Sequence, residues 1–260
     1  MLRATLTRTV LSRLRPALLT LVLTLTALVG VTVASAPPAQ ADGCYTWTRT
    51  LSQGASGADV TQLQIRVAGW AGSGVNFTVD GSFGPATRQA VLNFQSAHGL
   101  GADGVAGSGT YNQIYALQDD DCSPAHFAWS EVDGGCGAGG YSGGSVSAAT
   151  VQNNLLQAMW RAEALRQRLG NQPLTVTSGF RSVSCDKSVG GSGTGYHTYG
   201  MAIDLIGSGG SPSFCTIAQQ ARSTAFNGIL GPGYPAHDDH VHVDIRPSRF
   251  WDASDCGVTS

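Results

Sequence analysis

His197-Thr-Tyr-Gly-Met-Ala-Ile-Asp204 and His237-Asp-Asp-His-Val-His-Val-Asp-Ile245 each lead into a predicted strand and carry imidazoles and carboxylates, side chains of the kinds that ligate metals. In the second run His240 and His242 alternate with Val241 and Val243, so a β-strand puts both imidazoles on one face and both valines on the other. Gly231-Pro-Gly-Tyr-Pro235 forms a turn leading in, and three histidines and two carboxylates then fall within six residues of a chain holding six histidines. In the first run Asp204 sits inside Ala202-Ile-Asp-Leu-Ile206. A carboxylate there is costly unless it binds a metal or pairs with an arginine such as Arg181 or Arg246. Catalytic zinc takes about three protein ligands and keeps one position open, which this residue set suits. His98 and His126 stand alone and are read as structural or exposed.

The surroundings predict an α+β domain over 145–260 with a small antiparallel sheet. Ser147 is a plausible N-cap, and Val151, Leu155, Ala158, Ala162, Leu165 and Leu169 form one apolar stripe ended by Gly170. Strands are expected at Pro173–Ser178, Met201–Leu205 and His240–Ile245, and a helix at Phe214–Phe226. Arg181 closes Thr177-Ser-Gly-Phe-Arg-Ser182 at a strand end, where a guanidinium can grip a carboxylate with two parallel hydrogen bonds. His237, Asp239, His240 and Tyr234 are all candidates for proton transfer or oxyanion stabilisation. Tyr234 is also placed beside Arg181 as substrate-binding.

The first half reads differently. Asp80-Gly-Ser-Phe-Gly-Pro-Ala-Thr87 echoes as Asp103-Gly-Val-Ala-Gly-Ser-Gly-Thr110, each a tight turn leading into a helix. Pro85 suits the first helical turn and Gly99 the residue just past the end. Ala90, Val91, Phe94 and Ala97 give that helix one apolar face, with Val60, Leu63 and Val67 doing so before it and Tyr111, Ile114 and Tyr115 after it. A compact three-helix unit over 42–122 follows, then a Gly-rich linker over 123–144. Asp119-Asp-Asp121 lacks the alternating ligand spacing of a calcium loop and reads as solvated surface.

The chain has 260 residues, 35 of them glycine, and only 12% are charged. Arg3, Arg8, Arg13 and Arg15 precede a largely apolar stretch from Ala17 to Ala34 and a small-x-small site at Ala39-Gln-Ala41, the pattern of a cleaved export signal over 1–41. Beyond it 11 basic residues face 17 acidic ones, a net charge of −6. That excludes the basic footprint nucleic acid requires. Six cysteines in the exported part read as three disulfides, with the pairing open on spacing alone. Secretion to the cell exterior or wall follows, as a monomer and without membrane attachment once the signal is gone.

Gly54-Ala-Ser-Gly-Ala-Asp-Val-Thr-Gln-Leu-Gln64, Val79-Asp-Gly-Ser-Phe-Gly-Pro-Ala-Thr87 and Phe94-Gln95 resemble the peptidoglycan-binding domain of bacterial wall enzymes. Ser178-Gly-Phe-Arg-Ser182, the His197–Asp204 run and the His237–His242 run resemble the zinc D-alanyl-D-alanine carboxypeptidases. These share a metallopeptidase superfamily with lysostaphin-type peptidases and hedgehog-like domains. The resemblance implies one zinc ion on His197, Asp204 and His242, with His237 as proton donor and Asp239 as the carboxylate that activates water. It implies that Arg181 binds the terminal carboxylate of a peptidoglycan stem peptide. It also implies disulfides Cys44–Cys122, Cys136–Cys185 and Cys215–Cys256. Two other functions fit the same residues: an endopeptidase for wall cross-links, and a non-catalytic wall-binding protein. The unused acid–base groups argue against the last, because structural zinc sites close with a fourth protein ligand.

Overall fold

Two glutamines organise the N-terminal helical part of this computed structural model, which describes residues 44–134, 136 and 139–260. Gln64, on α1 (Ala58–Val67), donates to Asp80 Oδ1, Ser82 O and Thr87 Oγ1 at 2.9, 3.1 and 3.0 Å, and accepts from the amides of Asp80 and Gly81. Gln95, on α2 (Pro85–Ala97), makes the same set with Asp103, Val105, Thr110 and Gly104. The repeated sequence is thus one device used twice: a buried amide satisfies a tight turn and locks it to the next helix, α2 and then α3 (Ser108–Ala116). Pro85 opens α2, and Gly99 just past its end is left-handed at φ 68°. The export signal read over 1–41 lies outside the described residues. Among those residues no helix is long and apolar enough to cross a membrane.

Within 123–144, α4 (Trp129–Val132) forms a single turn, and Phe127 and Val132 are buried in the second core. The long helix α5 (Ala148–Arg168) follows, with the Ser147 hydroxyl accepting from the Thr150 amide as its N-cap. A six-stranded sheet comes next. In chain order its strands are β1 (Leu174–Ser178), β2 (Ala202–Gly207), β3 (Gly228–Leu230), β4 (Val241–Asp244), β5 (Phe250–Ala253) and β6 (Val258–Thr259), and in space they run β1-β2-β4-β3-β5-β6. The fold is α+β as expected, but the sheet is larger than the small antiparallel one predicted, and it is mixed because β3 and β5 pair in parallel. Strands of two and three residues are too short to show a period in the sequence. Two more helices complete the domain: α6 (Val183–Ser188) and α7 (Phe214–Ala221), the latter ending five residues before the expected Phe226.

Helix α5 serves two cores. Leu155, Ala158, Ala162 and Leu165 pack with Ile203, Leu205, Val241 and Val243 of the sheet, whereas Trp160 and Ala164 belong to the core of the N-terminal helices. Buried Arg66 of α1 lies 5.7 Å from the Trp160 ring centroid and 5.4 Å from that of Trp47. The Trp70 indole donates to Gln167 Oε1 at 2.8 Å. The three disulfides join the pairs implied by the resemblance: Cys44–Cys122, Cys136–Cys185 and Cys215–Cys256.

At Gly69 the chain passes so close to α5 that an added Cβ would lie 2.4 Å from the Cβ of Ala164. Gly69→Ala is therefore expected to overpack the joint and lower stability by about 1–3 kcal/mol in urea denaturation. A loss below a few tenths of that would show that the two cores are not tightly coupled.

Candidate metal centre

The sheet register brings the two runs together. Asp204 on β2 and His242 on β4 are directly opposed Cα partners in an antiparallel pair, so their side chains leave the same face at adjacent points. Val241 and Val243 point the other way into the core, the alternation expected from the sequence. His197 arrives from a 3-10 turn at Tyr196–Tyr199 just before β2. His197 Nε2 lies 3.1 Å from His242 Nδ1 and 3.2 Å from Asp204 Oδ1, and His242 Nδ1 lies 3.0 Å from the same oxygen. All three side chains are buried.

The outer hydrogen bonds of the two imidazoles decide what this cluster can hold. His197 Nδ1 donates to the Gly179 carbonyl at 2.6 Å, and His242 Nε2 donates to Asp244 Oδ2 at 2.9 Å. With those protons placed outward, His197 Nε2 and His242 Nδ1 present lone pairs toward each other and toward a carboxylate oxygen. Such a convergence is repulsive without a cation at its centre, so the donor set fits zinc. Burial opposes the charged form of the His242 imidazole, but the hydrogen bonds it donates to the Asp204 and Asp244 carboxylates push it up to about 9. For Asp204 burial acts upward, yet His197 and His242 hold its carboxyl well below the usual carboxylate range.

The remaining candidates surround this triad at graded distances. Arg181 Nη2 donates to Asp204 Oδ2 at 2.8 Å, its Nε donates to Ser178 Oγ at 2.9 Å, and its Nη1 lies 3.5 Å from Asp186 Oδ1. Asp204 therefore turns one oxygen toward the histidines and the other to an arginine, so the Arg181 pairing foreseen as an alternative leaves the first oxygen available to a metal. Arg246 pairs with Asp244 rather than with Asp204. His240 Nε2 stands 3.7 Å from Asp204 Oδ1, with Nδ1 on Asp239 Oδ1 at 2.7 Å. The Asp239 side chain is 91% exposed and reaches the triad only through His240. The half-buried His237 ring lies 5.8 Å from that of His242 and 5.1 Å from that of Tyr234, with Nδ1 on the Pro235 carbonyl at 2.8 Å. Burial pushes the His237 imidazole down, so its neutral form keeps Nε2 free. Away from the site, His126 pairs with Glu163 at 3.0 Å and His98 packs on Trp70 and Phe94.

Asp244 and Asp186 were not singled out from the sequence. Asp244 continues the 240/242 alternation by one more step, a signal that was there to find. Asp186 lies on α6, and its carboxylate accepts the Gly193 amide at 2.8 Å, anchoring the glycine-rich loop before His197. Only the fold reveals that second role.

Residues 125–244 match the family described as Peptidase M15, and residues 56–114 match a putative peptidoglycan binding domain. A zinc D-Ala-D-Ala carboxypeptidase of Streptomyces albus G is 51% identical over 252 residues, covering 91% of this chain and 97% of that protein. Among solved structures, the SleB N-terminal domain is 36% identical over 28% of this chain and 96% of its own length, with a TM-score of 0.25. A fused Zn-dependent amidase/peptidase/peptidoglycan-binding protein of Clostridium acetobutylicum ATCC 824 is 32% identical over 28% of this chain and 32% of its own, with a TM-score of 0.24. The buried two-histidine, one-aspartate centre lies inside the matched peptidase region, and the chain belongs to the M15 peptidase family.

Proposed function

We propose that this protein is a zinc-dependent carboxypeptidase that hydrolyses the terminal D-Ala-D-Ala bond of peptidoglycan stem peptides and releases D-Ala. The observation that carries the reading is the convergence of two imidazole lone pairs and a carboxylate oxygen within 3.2 Å of one another, beside an arginine. Zinc on His197, Asp204 and His242 supplies Lewis acidity for a peptide carbonyl and for water. Asp239, through or beside His240, accepts the proton of the attacking water. His237, with Nδ1 engaged by Pro235, uses Nε2 to take up a proton and pass it to the departing D-Ala amine. Arg181 pairs with the terminal carboxylate through Nη1, which gives up its long 3.5 Å contact with Asp186 to do so. Tyr234 lines the same side through its contact with His237. The N-terminal module holds the enzyme on the wall polymer, where the local concentration of stem peptides is high. Export and removal of residues 1–41 place it outside the membrane as a monomer.

Incubating the chain without residues 1–41 with a peptide ending in D-Ala-D-Ala should release D-Ala, and a chelator should stop the release. Absent release, or release indifferent to chelation, overturns the proposal. Arg181→Ala should lower kcat/KM roughly 100-fold or more, the scale set by a hydrogen-bonded charge pair. Near-parental activity on free-carboxylate peptides would remove the arginine from substrate binding, and hydrolysis of cross-linked sacculi at a comparable rate would favour an endopeptidase.

Zinc binding should also release a proton. At pH 7.5 the metal-free His242, held up to about 9, is protonated, whereas ligation requires its lone pair. Calorimetric titration in buffers of different ionisation enthalpy should report net proton release on zinc binding, and none would show that His242 is already neutral in the metal-free protein.

A further inference from the structure

We propose that Asp244 and Arg246 form a positioning pair that orients both metal-binding histidines, an inference that rests on the zinc reading above. Asp244 is fully buried, and its Oδ2 accepts the Nε2 proton of His242 at 2.9 Å. Arg246 grips the same carboxylate from its own backbone amide (2.9 Å to Oδ1) and from Nε (2.8 Å to Oδ1, 3.0 Å to Oδ2), with Nη2 on Oδ2 as well. This fixes the carboxylate plane and hence the roll of the His242 ring. The guanidinium then lies 4.6 Å from the ring centroid of Tyr196, which directly precedes His197, and 5.3 Å from that of Phe250. One arginine therefore touches the chain next to one histidine ligand and the carboxylate behind the other.

The packing makes room for this arrangement on purpose-built geometry. Gly228 on β3 is the Cα partner of Asp244, and a Cβ there would lie 2.2 Å from Asp244 Oδ2. Any other residue at 228 would expel the carboxylate from its seat. A buried ion pair is a poor source of stability, since apolar residues of similar volume do as well or better. Its position directly behind a metal ligand supplies a different reason for it: a carboxylate behind a metal-bound imidazole sets the tautomer and strengthens the ligand.

The test is Asp244→Asn in the full chain, which keeps size and one acceptor oxygen but removes the charge. Zinc affinity by chelator competition should fall about 10- to 100-fold, and the visible absorption bands of the cobalt-substituted protein should shift. A purely structural role would lower the melting temperature of the metal-free protein and leave zinc affinity within about twofold of the parent, and that result overturns the proposal. If the Asn variant does not fold, Arg246→Lys keeps the charge but loses the fork and the ring stacking, and it should still weaken zinc several-fold. Unchanged zinc affinity there overturns the proposal equally. If the parent chain itself binds no zinc, the metal reading fails, which is distinguishable because no variant is then informative about position.

Discussion

The antiparallel register that sets Asp204 opposite His242 governs everything else at this site. Because side chains alternate across a strand, a slip of one residue would turn one of the two into the core and bring an apolar neighbour to the metal face. The register is protected on its other side, where Ile203, Leu205, Val241 and Val243 are all fully buried against α5 and α7. The apolar core thus fixes from behind the register on which the meeting of the metal-binding side chains depends. Stability and site geometry are enforced by opposite faces of the same two strands.

From that pairing the charges radiate in alternating layers. The ligand carboxylate of Asp204 meets Arg181 on its outer oxygen, and behind His242 the sequence continues with Asp244 and then Arg246. Burial works against both carboxylates, yet Asp204 stays well below the ordinary range and Asp244 is held down to about 2 by Arg246 and His242. Both carboxylates are therefore held in the charged form near neutral pH by the cations and imidazoles around them.

What the sequence made legible was the chemistry carried by residue type and period. A carboxylate inside an apolar strand and an alternating His-Val-His run announce themselves, so Asp204, His240 and His242 stood out before any coordinates, and the family resemblance picked His197, Asp204 and His242 as the ligand set. The helices with regular stripes were equally plain, including the Ser147 cap. Less legible were features whose signal lies in three dimensions. Strands β3 and β6 are too short for a pattern, and their order in the sheet follows from closure of the core rather than from local preference. Trp160 and Ala164 look like ordinary members of a helix, and their allegiance to a different core needs the neighbouring domain to be seen. Gln64 and Gln95 were visible within a motif, but their role in sealing the turns depends on five hydrogen bonds each that no spacing rule foretells.

Sharing α5 between two cores has a mechanical consequence. A catalytic head on a slack leash samples every substrate within its radius, whereas a head bolted to its anchor samples an arc fixed by the bolt. Here the stretch that precedes the helix is partly folded into the second core, and Trp160 is embedded in the first. Because α5 contributes to both cores, a molecule held by its N-terminal module would carry its metal-binding face at a fixed distance from that hold rather than on a tether.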